Sequence, residues 1–165
     1  NSEDNRMKKL ATILLVSLFA FNFINAEEAK KKSTDEYIKD LQSESAEVVI
    51  TAAQNLGEKK VVEAIDPLIE VIKTHESAKV RIAVASSLGK MGTKGEPTTT
   101  LSKVIMKDSD NSVVYASLLA ILNLGDVKNE AAIEAVKFCE ENKSDDIFIK
   151  DVVSKLTVAI SGEKK

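Results

Sequence analysis

One segment returns after thirty-odd residues and limits what this chain can fold into: Val48-Val49-Ile50-Thr51-Ala52-Ala53-Gln54-Asn55-Leu56-Gly57, and again Val80-Arg81-Ile82-Ala83-Val84-Ala85-Ser86-Ser87-Leu88-Gly89. Internal periods of that length mark chains built from stacked supersecondary units. Each copy places a valine, two short side chains and a leucine at offsets 0, 4, 5 and 8, with a glycine at offset 9. That spacing predicts a helix with a narrow apolar face and a glycine stop. Such a helix cannot bury its face alone, so neighbouring copies must cover it.

The same spacing continues on both sides. Ser33 and Glu36 stand at capping-box distance before Tyr37, Ile38 and Leu41, which predicts a short helix ahead of the Val48 helix. Ser43 or Ser45 opens the latter. A further helix runs from Val61 to Ile72, with Pro67 close to its start, where a missing N–H is tolerated. Thr74 to Ser77 forms the turn into the Val80 helix, and Gly89, Gly92 and Gly95 break the chain before Pro97. Leu101, Val104 and Ile105 then repeat the spacing of Leu68, Val71 and Ile72. The helix from Ser112 through Leu118 to Leu122 has its glycine, Gly125, about three residues late, which predicts one extra turn. Ala132 to Val136 and Ile147 to Leu156, ending near Gly162, supply the last pair. With no period-two run and no Asn-Gly or Asp-Gly turn, strands are not expected. The reading is all-α, with eight helices in four hairpins at about 33–57, 58–92, 93–125 and 126–161, followed by a tail at 162–165.

The first residues point to export. Met7-Lys8-Lys9, the apolar run from Leu10 to Ile24 and the small residue Ala26 have the three parts of a secretory signal over 7–26, with cleavage after Ala26. The run carries Thr12, Ser17 and Asn22 and is short for a span that must cross ~30 Å of hydrocarbon, so a retained anchor is the lesser reading. Residues 1–6 read as an upstream remnant and 27–32 as a charged, flexible leader. The expected compartment is a bacterial periplasm or the exterior. A single cysteine, Cys139, allows no internal disulfide, leaving helix packing alone to hold the fold there. Loss of residues 1–26 removes three bases and two acids, moving the formal charge from −3 to −4. That balance argues against nucleic acid and anionic membranes as partners, since both select a basic face.

The stretch Asp66-Pro67-Leu68-Ile69-Glu70-Val71-Ile72-Lys73, followed by Ala78-Lys79-Val80-Arg81-Ile82-Ala83-Val84-Ala85 and Leu88-Gly89, resembles HEAT repeats. It is most similar to the short bacterial HEAT-like type also seen in phycobiliprotein lyases. The resemblance covers about Ser33 to Ser161 and fades in the fourth repeat, where Asp151 and Lys155 replace small and apolar residues. It implies a right-handed α-solenoid whose second helices line a concave binding surface. It implies no fixed activity.

The remaining motifs weigh against chemistry. Gly89-Lys90-Met91-Gly92-Thr93-Lys94-Gly95 lacks the spacing and the preceding strand of a phosphate loop, and reads as a connector. Asp108-Ser109-Asp110-Asn111-Ser112 begins like a calcium loop, yet Val113 and Leu119 stand where glycine and glutamate are needed. These residues, like Ser144-Asp145-Asp146, suit a helix cap. His75 and Cys139 fall in different repeats, too few for zinc and too far apart in sequence for a nucleophile pair, so Cys139 reads as a small buried residue. No catalytic residue, metal ligand or cofactor is expected.

A binding surface is expected instead. Placing the second helices in register brings Ile50, Ile82, Tyr115 and Ile149 to one offset, an apolar ladder rimmed by Gln54, Arg81 and Ser86. The competing reading packs the ladder against the first helices. The last helix is apolar on more than one face through Ile147, Phe148, Ile149 and Val153, although a terminal repeat should be polar outside. A homodimer, a partner or the leader would cover it. The expected function is a non-catalytic protein-binding scaffold, with a lyase-like or small-molecule-binding subunit using the same groove as the alternative.

Overall fold

The computed structural model describes residues 32–162. The signal segment, the upstream remnant, nearly all of the leader and the end of the tail lie outside the described residues. Among those residues the chain forms eight α-helices and one 3-10 turn, with no strand. They are α1 (Thr34–Asp40), α2 (Ala46–Glu58), a 3-10 turn at Val62–Ala64, α3 (Ile65–Thr74), α4 (Ala78–Met91), α5 (Glu96–Lys107), α6 (Asn111–Leu124), α7 (Glu130–Asn142) and α8 (Ile147–Ser161). None is long and apolar enough to cross a membrane.

Five of the eight starts have a local cause. Ser33 and Glu36 close a reciprocal capping box on α1. Asp110 accepts from the Ser112 N–H, Asn129 from Ala131, and Asp146 from both Phe148 and Ile149. Caps of this kind stabilise a helix by about 1 kcal/mol each. Pro97 sits in the first turn of α5, where its absent N–H leaves no bond unmade.

Antiparallel pairing of consecutive helices gives four hairpins, and the hairpins stack into an α-solenoid. Successive second helices (α2, α4, α6) make the most extensive contacts, while the first helices α5 and α7 touch more closely than α3 and α5. Leu56, Leu68, Leu88, Leu101, Leu118 and Leu156 are fully buried along one continuous core. Removing that apolar area from water is what drives a stack whose single hairpins could not stand alone.

Two expectations about glycine are corrected. Gly57 and Gly89 do not stop their helices; both lie inside them and are buried. A Cβ on Gly57 would come 2.7 Å from the Cα of Ser87, and one on Gly89 would come 2.7 Å from the Cα of Ala120. The repeated Leu-Gly is therefore a notch that lets the next second helix approach. The stops are Gly92 after α4, Gly125 after α6 and Gly162 after α8, each left-handed. Measured from these, α4 and α6 both have 14 residues, and the extra turn expected in α6 does not exist. The end of α2 uses Lys60 instead, at φ 53°, with Lys60 and Val61 donating back to Gly57 and Leu56.

Candidate interaction surface

The capping residues Ser45, Ser77, Asp110 and Asp146 set a common register for α2, α4, α6 and α8. Ile50, Ile82 and Tyr115 each stand five residues after their cap, and the equivalent in α8 is Asp151. One turn on come Gln54, Ser86, Leu119 and Lys155. A pair of positions spaced by four falls on one helix face, and here that face is turned away from the core. Ile50, Ile82, Tyr115 and Leu119 are half-buried and packed on the core at their inner edges, while Gln54 and Ser86 are exposed. The side chains thus pack inward and still present an outer edge.

Ile149 does not belong to the row. It is fully buried and takes the register of Val80 and Val113, which are also fully buried. The fourth repeat carries a longer interval between its second helix and the preceding one, so equal sequence spacing selects a core position there. The residue that reaches the surface is Phe148, 64% exposed, its ring edge-on to Tyr115 with centroids 6.1 Å apart at 72°. Ile147 beside it is 73% exposed. The excess apolar character of the last helix was the sequence signal for this edge. Edge-to-face pairs of this kind contribute about 0.5–1.5 kcal/mol beyond burial.

Arg81 is not a rim residue. Its Nε and Nη2 donate to the two carboxylate oxygens of Asp108 at 2.7 and 3.0 Å, and its Nη1 donates to the carbonyls of His75 and Glu76 at 2.9 and 2.7 Å. With only 16% and 8% of the two side chains exposed, this is a tie between the second and third repeats. The hydrogen bond to Asp108 raises the Arg81 pKa despite burial. For Asp108, burial favours the neutral acid, but Arg81 and the Asp110 N–H outweigh it and hold the carboxyl below its usual range.

The turns make further ties. Gly95 donates to Asp126 and Lys94 to the Gly125 carbonyl, so this lysine of the connector is engaged within the fold. The Gly95 N–H is the main cause that lowers the Asp126 pKa. Asn111 bridges Asp146 and Lys143. His75 accepts from the Ser77 N–H through Nδ1. Cys139 is buried, and burial pushes its thiol up to about 11, which leaves it protonated and inert at neutral pH. Among the described residues no three His, Cys, Asp or Glu side chains converge on a point that could hold a metal ion. In the fourth repeat the outward positions are Asp151 and Lys155, paired at 2.6 Å, with Asp151 raising the Lys155 pKa.

Comparison with known proteins gives this architecture a family context. The HEAT repeats family matches residues 34–122, more than half of the chain. Among solved structures, the complex of CpcE and CpcF of phycocyanin lyase from Nostoc sp. PCC7120 is similar, with a TM-score of 0.57 and 17% sequence identity, over 84% of this chain and 68% of that one. At that identity the likeness is one of fold. No curated protein sequence matches at a significant level.

Proposed function

The chain belongs to the HEAT repeat family, and on that premise we propose that it is an exported, non-catalytic scaffold holding a protein partner on the outward face of its second helices. The observation that carries this reading is the apolar edge formed by Phe148 against Tyr115, with exposed Ile147 next to it in the chain, which continues the half-buried row of Ile50 and Ile82. Exposed aromatic and aliphatic anchors bordered by polar side chains are where binding energy concentrates in protein interfaces. Gln54 and Ser86 supply such a border. The similar solved structure is itself a complex of two chains, which supports a protein as the occupant. Export is supported by the signal-like pattern of 7–26. The pairing of Asp151 with Lys155 leaves the face without a free acid–base couple in its fourth repeat, which favours binding over chemistry.

The test compares the mature protein with Phe148→Asp as bait for an envelope extract. Phe148 is exposed, so the variant keeps its helicity, and the expected result is a protein partner retained by the wild type and lost by the variant. Equal capture by both overturns the reading. Retention of a small molecule instead of a protein supports the groove as a small-molecule site of a lyase-like subunit. Molar mass measured across a dilution series identifies a homodimer through the last helix if it rises with concentration and Phe148→Asp abolishes the rise.

A further inference from the structure

A second site lies on the other helix layer, between the C-terminal ends of α3 and α5, and shares none of the outward-face residues discussed above. A cavity of about 410 Å³ opens there, with Ile72 and Val104 in its lining. That volume falls within the usual range of small-molecule sites, about 300–1,000 Å³. Its charged wall holds Lys73, Lys103 and Lys107 together with the Arg81 and Asp108 pair. Arg81 and Asp108 neutralise each other through two short hydrogen bonds. The three lysines therefore give the wall a surplus of positive charge in a chain whose formal net charge is −3.

Lys155 is paired with Asp151 and Lys90 with Glu58, whereas Lys73, Lys103 and Lys107 have no carboxylate partner among the described residues. Lys103 and Lys107 stand one turn apart on α5, an arrangement in which like charges repel along one helix face. The helix dipole favours cations in a last turn, which accounts for Lys73 and Lys107 but not for Lys103. Thr100 supplies an independent observation. It lines the cavity at 4% exposure, and its hydroxyl has no hydrogen-bond partner among the described residues. Ser102, two residues on, donates back to Thr98, and Thr74 donates to Glu70. A hydroxyl that lines the cavity and has no partner among the described residues is available to donate to an occupant.

We propose that this cavity binds a small multivalent anion, an organic phosphate or a di- or tricarboxylate. Lys73, Lys103 and Lys107 neutralise its charge, Thr100 donates to one of its oxygens, and Ile72 and Val104 seat its carbon skeleton. Titration calorimetry of the full chain at low ionic strength, with pyrophosphate and citrate as separate probes, tests this and tells phosphate from carboxylate preference. One probe is expected to bind with one-to-one stoichiometry. Lys103→Gln and Lys107→Gln are each expected to weaken it on the order of tenfold, as loss of a charge-assisted hydrogen bond does, and Thr100→Val several-fold. Lys128→Gln and Lys137→Gln, outside the cavity, should leave it unchanged. The lysine variants are at exposed positions and keep the fold, so they decide the matter even if Thr100→Val is destabilised. Absence of binding by both probes at millimolar concentration overturns the proposal, as does equal weakening by the two lysines outside the cavity.

Discussion

Between α4 and α6 the two backbones meet over Gly89 and Ala120, and between α2 and α4 over Gly57 and Ser87. The corresponding positions between α6 and α8 hold Leu122 and Leu156, and the contact between those helices is much less extensive. The ties in the turns differ in the same sense. The second and third repeats are joined by the nearly buried Arg81 and Asp108 pair, whereas the third and fourth are joined by the exposed bonds of Asn111 to Asp146 and Lys143. One repeat frame thus serves two purposes. Small residues bring three second helices close enough to exclude water, and bulkier ones hold the fourth further off, where Ile147 and Phe148 remain in solvent.

The contrast is broken most directly at the notch. Gly89→Ala should cost about 2–3 kcal/mol, because overpacking against backbone outweighs the ~1 kcal/mol that alanine gains in helix propensity. Leu122→Ala, at the matching but half-buried position, should cost less. Chemical denaturation of both variants measures the difference, and equal losses would remove the notch as its cause.

Next in size is the turn tie. Asp108→Asn should cost about 2 kcal/mol, since it leaves a largely buried guanidinium without its counter-charge, while Asn111→Ala should cost no more than about 0.5 kcal/mol. The same pair carries a pH dependence. The folded pKa of Asp108 lies below its ordinary value of 3.8, so the unfolded chain takes up protons first as pH falls. Its stabilisation is complete above the unfolded value and is lost as pH drops through the folded one. Denaturation midpoints measured between about pH 5 and 2 should fall less steeply in Asp108→Asn.

Smaller effects sharpen the picture within single helices. Ser117 in α6 is buried with its hydroxyl unpartnered, so Ser117→Ala should stabilise the fold by about 1 kcal/mol in a thermal melt. Lys60 is the one non-glycine residue at positive φ among the described residues. Lys60→Gly should stabilise α2 by about 0.5 kcal/mol, the relief of left-handed strain less the added entropy of glycine.

Most of the secondary structure was legible in the residues. The capping box of Ser33 and Glu36, the caps Asp110 and Asp146, and the apolar spacing of Leu68, Val71 and Ile72 act within a turn or two of the chain. The candidate surface was less legible. Ile50, Ile82 and Tyr115 share a register that periodicity reveals, but Ile149 was misplaced because the fourth repeat changes the interval between second helices. Arg81 looked like a rim residue because its partner, Asp108, lies 27 positions away.

By itself, the sequence determined the helices, their starts, their pairing into hairpins and their membership of a repeat family, because each depends on contacts three or four residues apart and on a period that any register preserves. Only the tertiary structure decided that Gly57 and Gly89 are points of approach rather than stops, that Phe148 and not Ile149 meets solvent, and that three unpaired lysines share a cavity with Thr100. Those outcomes depend on which helix lies beside which and at what distance, and that is set by side-chain volume summed across neighbouring repeats.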